Sequence, residues 1–471
     1  MLNKVKFPSV TQKTVTVNSF SNGYLNGVNK KLAGLNSCVK SYNFNYQDGS
    51  LKSGVYYSDL SSFDLSALNT AVPLRIYFYP HFNNRTSMRD DRVLIYADDG
   101  FLYSAEMRGA FKRVGSTQFF TAPEAIPYDY LDSDVMLISY DGGLYVLNDT
   151  ELTMVEDAPP ITSLTVHSER LFVTVMGEGT SLWFSDDFNP TNWVISLDEA
   201  GFIDFSDNRG KLLKVVSFLG SVYAFREYGI TRITAYGDQT EFSVDHLFCS
   251  QGKIIGSSIT DCGDFIVMLT SAGFFKFNGV DAVKILGEYD NLLKGANNQT
   301  CKGVFHNNTV YFKVNLIIDG VVENCLICYD VIKKSSYIAV GLEIEDICFI
   351  GRNVNEVAII KQNKVGVYKL QENSLNTLEK VWLSPEFNFD IPGKNKRLSC
   401  ISLYTKTPVT LTVFADNISH YYELQGGGVC KVKPYLKGEY FSFEIKTNHP
   451  EPEILDLTVS IEYIRGENNA N

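Results

Sequence analysis

The chain has 471 residues, 45% of them hydrophobic and 13% aromatic, and a net charge of −12. That is enough apolar material for two or three folded domains, and it excludes a disordered tail. No run approaches the roughly 20 apolar residues of a membrane span, and residues 1–10 lack the apolar centre of a signal peptide, so folding in a cytoplasm without membrane insertion is expected. A body this acidic repels a nucleic-acid backbone, which argues against sequence-specific DNA binding.

The charge is unevenly spread. No acidic residue precedes Asp48, while Lys4, Lys6, Lys13, Lys30, Lys31 and Lys40 are all basic. Residues 1–58 therefore read as a basic, extended N-terminal arm followed by the first strands, the arm either solvated or laid on an acidic neighbouring surface. Within 42–57 (YNFNYQDGSLKSGVYY), Asp48-Gly49 marks a reversal between two β-rich runs.

A repeated unit follows. Residues 93–103 (VLIYADDGFLY), 135–146 (VMLISYDGGLYV), 171–184 (LFVTVMGEGTSLWF), 222–233 (VYAFREYGITRI), 265–278 (FIVMLTSAGFFKFN), 310–329 and 357–368 each read as strand, tight turn, strand. Such a hairpin is marginal alone, and burial of each large side chain contributes roughly 1.5–3 kcal/mol, so each must pack against similar neighbours. Turns recurring at roughly 40–50 residues are the period of propeller blades, and six to eight blades are expected over 59–375. Runs that are apolar on both faces suit strands buried between blades, and no helix of useful length separates them, which excludes a parallel α/β sheet.

The repeat gives out near 374–385. Beyond it, 399–404, 409–414, 440–445 and 454–463 read as four antiparallel strands, so 376–471 is expected to be a β-sandwich, with 425–429 a flexible link. The ring could be closed by an N-terminal strand.

Candidate chemistry is sparse. Cysteines number nine, scattered and odd in count, which argues against a disulfide framework. The pair Cys325 and Cys328 lies in a strand, where positions three apart point to opposite faces. The six histidines are isolated in sequence, and Asp98-Asp99-Gly100 and Asp141-Gly142-Gly143 read as hairpin turns. The densest polar group is 183–207, where WFSDDFNPTNW precedes Glu199, Asp204 and Asp207. Paired carboxylates there could serve glycoside hydrolysis at Asp186, Asp187 or Glu199. The alternative is that Asn189-Pro190 starts a turn while Trp183 and Trp193 pack beneath the blade edge. No catalytic residue, metal ligand or cofactor is assigned.

Three stretches resemble one family, the tailed-bacteriophage virion proteins that pair a propeller with a β-sandwich, of the tail nozzle and packaged-DNA stabilisation type. These are 43–54 (NFNYQDGSLKSG), 182–193 and 384–401 (SPEFNFDIPGKNKRLSCI). The resemblance implies a non-enzymatic protein of the phage neck or tail, assembled in the bacterial cytoplasm. It implies a homo-oligomeric ring, usually a hexamer, docked on portal, adaptor or other tail proteins around channel DNA that it does not bind specifically. Lys30, Lys31, Asp48, Gly49, Trp183, Asp187, Asn189, Pro190, Trp193, Lys394, Lys396 and Arg397 are the residues expected to serve assembly or structure. A tail-tip propeller that binds a receptor or glycan is the alternative, and a glycoside hydrolase the third reading.

Overall fold

The computed structural model describes residues 10–25, 34–83, 86–107, 109–130, 133–140, 142–196, 199–250, 252–350, 356–372 and 375–464. Among the described residues, seven four-stranded sheets follow one another, beginning at Pro73–Tyr79, Ala125–Tyr130, Ile161–His167, Leu212–Phe218, Thr260–Asp261, Lys302–His306 and Ile344–Phe349. The first strand of each adjoins its counterpart in the next sheet, with the Gly256–Ser258 turn serving at the fifth. The strand Ile344–Phe349 adjoins Pro73–Tyr79, so the ring closes as a seven-bladed propeller.

The seven hairpins read from the sequence form the two middle strands of these seven sheets. That position explains their composition, because both faces of a middle strand meet a neighbouring blade. Arg92–Ala97 and Ile266–Thr270 are buried at every residue. Apolar layers fill the gaps between blades: Ile76, Val93 and Ile95 of the first pack with Ala358, Ile360 and Val365 of the seventh. Farther round, Leu137 and Leu144 meet Leu171, Val173 and Trp193.

The turns are made as the sequence predicts. Gly100 has φ +83°, and an added Cβ would lie 2.8 Å from the Phe119 carbonyl oxygen, so a side chain there fails on both counts. Asp99 accepts the Phe101 N–H at 3.0 Å and the Tyr103 hydroxyl at 2.6 Å, and Asp98 accepts the Val72 N–H at 2.7 Å. These carboxylates build the turn. Asp141 lies outside the described residues.

Closure of the ring uses a strand from earlier in the chain. The outer strand of the seventh sheet is Val55–Ser62, which precedes the first blade and sits beside Lys364–Glu372.

By internal contacts the chain divides into two units: Asp59–Asn324 with Glu343–Leu370, and Met1–Ser58 with Cys325–Leu342 and Gln371–Asn471. The second contains the β-sandwich. One sheet holds Lys396–Thr405, Gly428–Val432 and Glu453–Ile464; the other holds Lys380–Leu383, Val409–Ala415, Ile418–Leu424 and Phe441–Thr447. Alternation is strict, with Val409–Ala415 buried at every second residue, as a half-buried strand requires.

The sandwich has more strands than the four expected. Val10–Val17, within the expected arm, is a strand paired antiparallel with Glu453–Ile464, from Val10 opposite Ile464 to Val17 opposite Leu457. Its Lys13 donates to the Phe389 carbonyl at 2.7 Å and pairs with Asp390 at 3.1 Å. Lys40–Tyr42, Phe44–Asn45 and Leu51–Ser53 also join the sandwich sheets. The expected link 425–429 turns at Gly426 and Gly427, both at positive φ, and Gly428 already begins a strand. Among the described residues the nine cysteines form no disulfide, and Cys325 and Cys328 are buried.

Candidate functional site

The loop after Glu178–Phe184 is held by its own side chains. Asp186 accepts the Asp187 N–H at 2.8 Å through one oxygen and the Asn192 amide at 3.0 Å through the other. Asp187 forms an ion pair with Arg170, whose guanidinium also donates to the carbonyls of Ser185 at 3.0 Å and Glu199 at 2.8 Å. Asn189 accepts the N–H and hydroxyl of Thr191 at 3.2 and 2.6 Å, and Pro190 offers its carbonyl to the Trp193 indole at 3.0 Å. Trp193 is buried in the layer between the second and third blades. Trp183 is half-buried, stacked on Phe202 at 5.4 Å and donating to Glu178 at 2.7 Å.

Asp204 and Asp207, farther along, have separate partners. Asp204 accepts the Ser181 hydroxyl. Asp207 meets the wholly buried Arg226 at 2.6 Å, Arg209 at 2.8 Å and His246 at 3.2 Å. Burial works to raise the Asp207 carboxyl, but the Arg209 N–H and the two guanidinium groups outweigh it and hold it below the ordinary range.

Of the other sequence-predicted residues, Lys30 and Lys31 lie outside the described residues. Asp48 caps the turn at Gly49 (φ +91°): it accepts the Ser50 N–H at 3.1 Å and hydroxyl at 2.8 Å, and pairs with Lys52 at 2.6 Å. Partial burial opposes ionisation there, yet the Lys52 and Ser50 hydrogen bonds leave its carboxyl lowered. Lys394 is exposed, and Arg397 stacks over Tyr435 at 4.6 Å with Glu462 at 3.9 Å. Lys396 is buried, its ammonium donating to the carbonyls of Lys394 at 2.8 Å and Glu439 at 2.9 Å. Among the described residues, Asp48, Lys396 and Arg397 are each engaged by their own turn or strand.

A cluster that the sequence reading missed lies where the sixth, seventh and first blades meet. Asp346, in Ile344–Phe349, is wholly buried. Lys302 stands 3.0 Å from both of its oxygens, the Ile76 N–H is 2.9 Å from one, and Arg75 reaches the carboxylate at 3.5 Å. Lys313, opposite Lys302 in the strand pairing, donates to the Glu345 carbonyl. Burial lowers the Lys313 ammonium, Asp346 opposes that, and Arg75 and Lys302 add to it. The available signal was the strand Ile344–Phe349 (IEDICF), where two acids stand side by side so that alternation turns one of them to the apolar face, and a buried acid requires cations. Its partners lie in strands too distant in sequence to be named from the chain.

These observations define the class: an all-β chain comprising a seven-bladed propeller and a β-sandwich. No family model and no curated protein matches the sequence. Among solved structures, the chain is similar to BBS1N in its complex with ARL6DN, at TM-score 0.43 and 10% identity, covering 68% of this chain and 97% of that one. It is also similar to virginiamycin B lyase from Staphylococcus aureus, at TM-score 0.42 and 11% identity, covering 68% and 100%. PorZ of Porphyromonas gingivalis gives TM-score 0.40 and 10% identity over 78% and 46%. Likeness this distant assigns no function.

Proposed function

We propose that the chain is a non-enzymatic structural protein of a tailed-phage neck or tail, of the nozzle or head-closure type. In this reading it forms part of the DNA conduit as a homo-oligomeric ring, with portal, adaptor or other tail proteins as neighbours, and retains or releases the packaged genome. The observation that supports it is how the polar groups are used in the three stretches that carry the family resemblance. Asp48 closes a turn, Asp187 is tied to Arg170, and Lys396 is capped by carbonyls. Such groups hold a framework in shape, and a net charge of −12 suits a wall that must not retain DNA. Gold labelling with antibody to this chain, on particles sedimented from a lysate of its source, is expected to mark the neck or a short tail. Particles without label would end the proposal.

A second reading, a tail-tip propeller that recognises a receptor or glycan, draws on the exposed aromatics Phe120, Phe188 and Tyr236, with exposures of 78%, 65% and 79%. Label confined to the distal tip, with glycan binding by isolated protein, would favour it.

A further inference from the structure

Beside the Asp346 cluster the propeller opens into a cleft of about 770 Å³, lined by Arg75 and Lys313 together with Leu74, Phe120 and Ile344. The two cations are unequally engaged. Asp346 spends its oxygens on Lys302 and the Ile76 N–H, leaving Arg75 a single contact at 3.5 Å and, among the described residues, no hydrogen bond. A guanidinium carries five N–H donors in a rigid fork. Those of Arg75 stand at the cleft wall, on a side chain only 27% exposed.

The lining also offers exposed apolar surface: Phe120 is 78% exposed and Leu74 45%. A fork of donors beside uncovered hydrocarbon matches a planar oxyanion attached to an apolar body. The cleft walls carry Glu343 and Glu345 as well. Glu343 is partly neutralised by Lys361 at 3.9 Å, whereas Glu345 is exposed. Negative charge at the walls disfavours a polyanion such as a nucleic acid and leaves room for a single charged group.

We propose that this cleft binds a small apolar monocarboxylate, its carboxylate on Arg75 and Lys313 and its hydrocarbon part against Leu74 and Phe120. The assignment is independent of where the chain resides in a particle.

The test is calorimetric titration of the full chain with phenylacetate, benzyl alcohol, phenyl phosphate and inorganic phosphate. Saturable binding of phenylacetate is expected, with benzyl alcohol and inorganic phosphate silent. Arg75→Gln is expected to weaken phenylacetate about tenfold, the loss of one charge-assisted contact. Phe120→Ser, an exposed position, is expected to weaken it about threefold with an unchanged melting temperature, and it keeps the test decisive should Arg75→Gln fail to fold. Absence of phenylacetate binding, equal affinity in the folded Arg75→Gln protein, or tighter binding of phenyl phosphate would overturn the assignment.

Discussion

The propeller and the sandwich bury charge in different ways. In the propeller, the Asp346 carboxylate collects donors from Ile76, Arg75 and Lys302, on strands of two other blades, the first of them 270 positions away. In the sandwich, Lys380 is wholly buried with its ammonium capped by the carbonyls of Asn376 at 2.7 Å and Leu378 at 3.0 Å. Lys396 is treated alike by Lys394 and Glu439. An ion cluster of the first kind can form only when the ring is complete, so it reports closure. A carbonyl cap of the second kind is largely local and shapes the bend that precedes a strand.

The contrast can be broken most directly at Asp346. Asp346→Ala leaves two partly buried cations without their carboxylate and the buried Ile76 N–H without its acceptor, and is expected to cost about 3–5 kcal/mol in urea unfolding. Lys380→Met removes the charge together with its burial cost, leaving only carbonyls short of a donor, and is expected to cost about 1 kcal/mol. Equal losses in the two variants would show that the distinction does not hold.

The sandwich charge can be sharpened by pH. Burial pushes the Lys380 ammonium down from 10.5 to about 8. Between those values the unfolded chain binds more protons than the folded one, so this residue makes stability rise as pH increases from about 8 towards 10.5. The rise should appear as the difference between wild type and Lys380→Met, since other groups titrating there are common to both. A difference flat with pH would show an ammonium unperturbed in the fold. The smallest effect is expected at the 183–193 loop: Asp187→Asn breaks a pair whose acid is 47% exposed, and thermal unfolding should register a loss below about 1 kcal/mol.

What the sequence disclosed follows the same division between local and distant. The hairpin 265–278 is legible because its turn and its apolar strands are contiguous, and it appears as Ile266–Thr270 and Gly273–Phe277. The loop around Asn189-Pro190 is legible for the same reason. The pairing of Val10–Val17 with Glu453–Ile464 carries no local signal, because an alternating strand fits any open edge of matching polarity. Nor could Asp346 be matched with Lys302 and Arg75, since the chain order does not say which strands become neighbours in a ring. Lys396 was expected only among the residues serving assembly or structure; its burial depends on the Glu439 carbonyl, 43 positions away.

The pairing of Val10 with Ile464 also bears on how the protein is made. On a ribosome, Val10–Val17 emerges long before Glu453–Ile464 exists and must wait unpaired while all the residues between them are made. The seventh blade imposes a similar delay on Val55–Ser62, which meets Lys364–Glu372 only after all intervening blades have been synthesised. High contact order of this kind makes folding slow and leaves strand edges open to aggregation while synthesis proceeds. Neither closure can precede synthesis of its later strand, so a chain stalled before Lys364 would present two unmatched edges to whatever holdase is nearby.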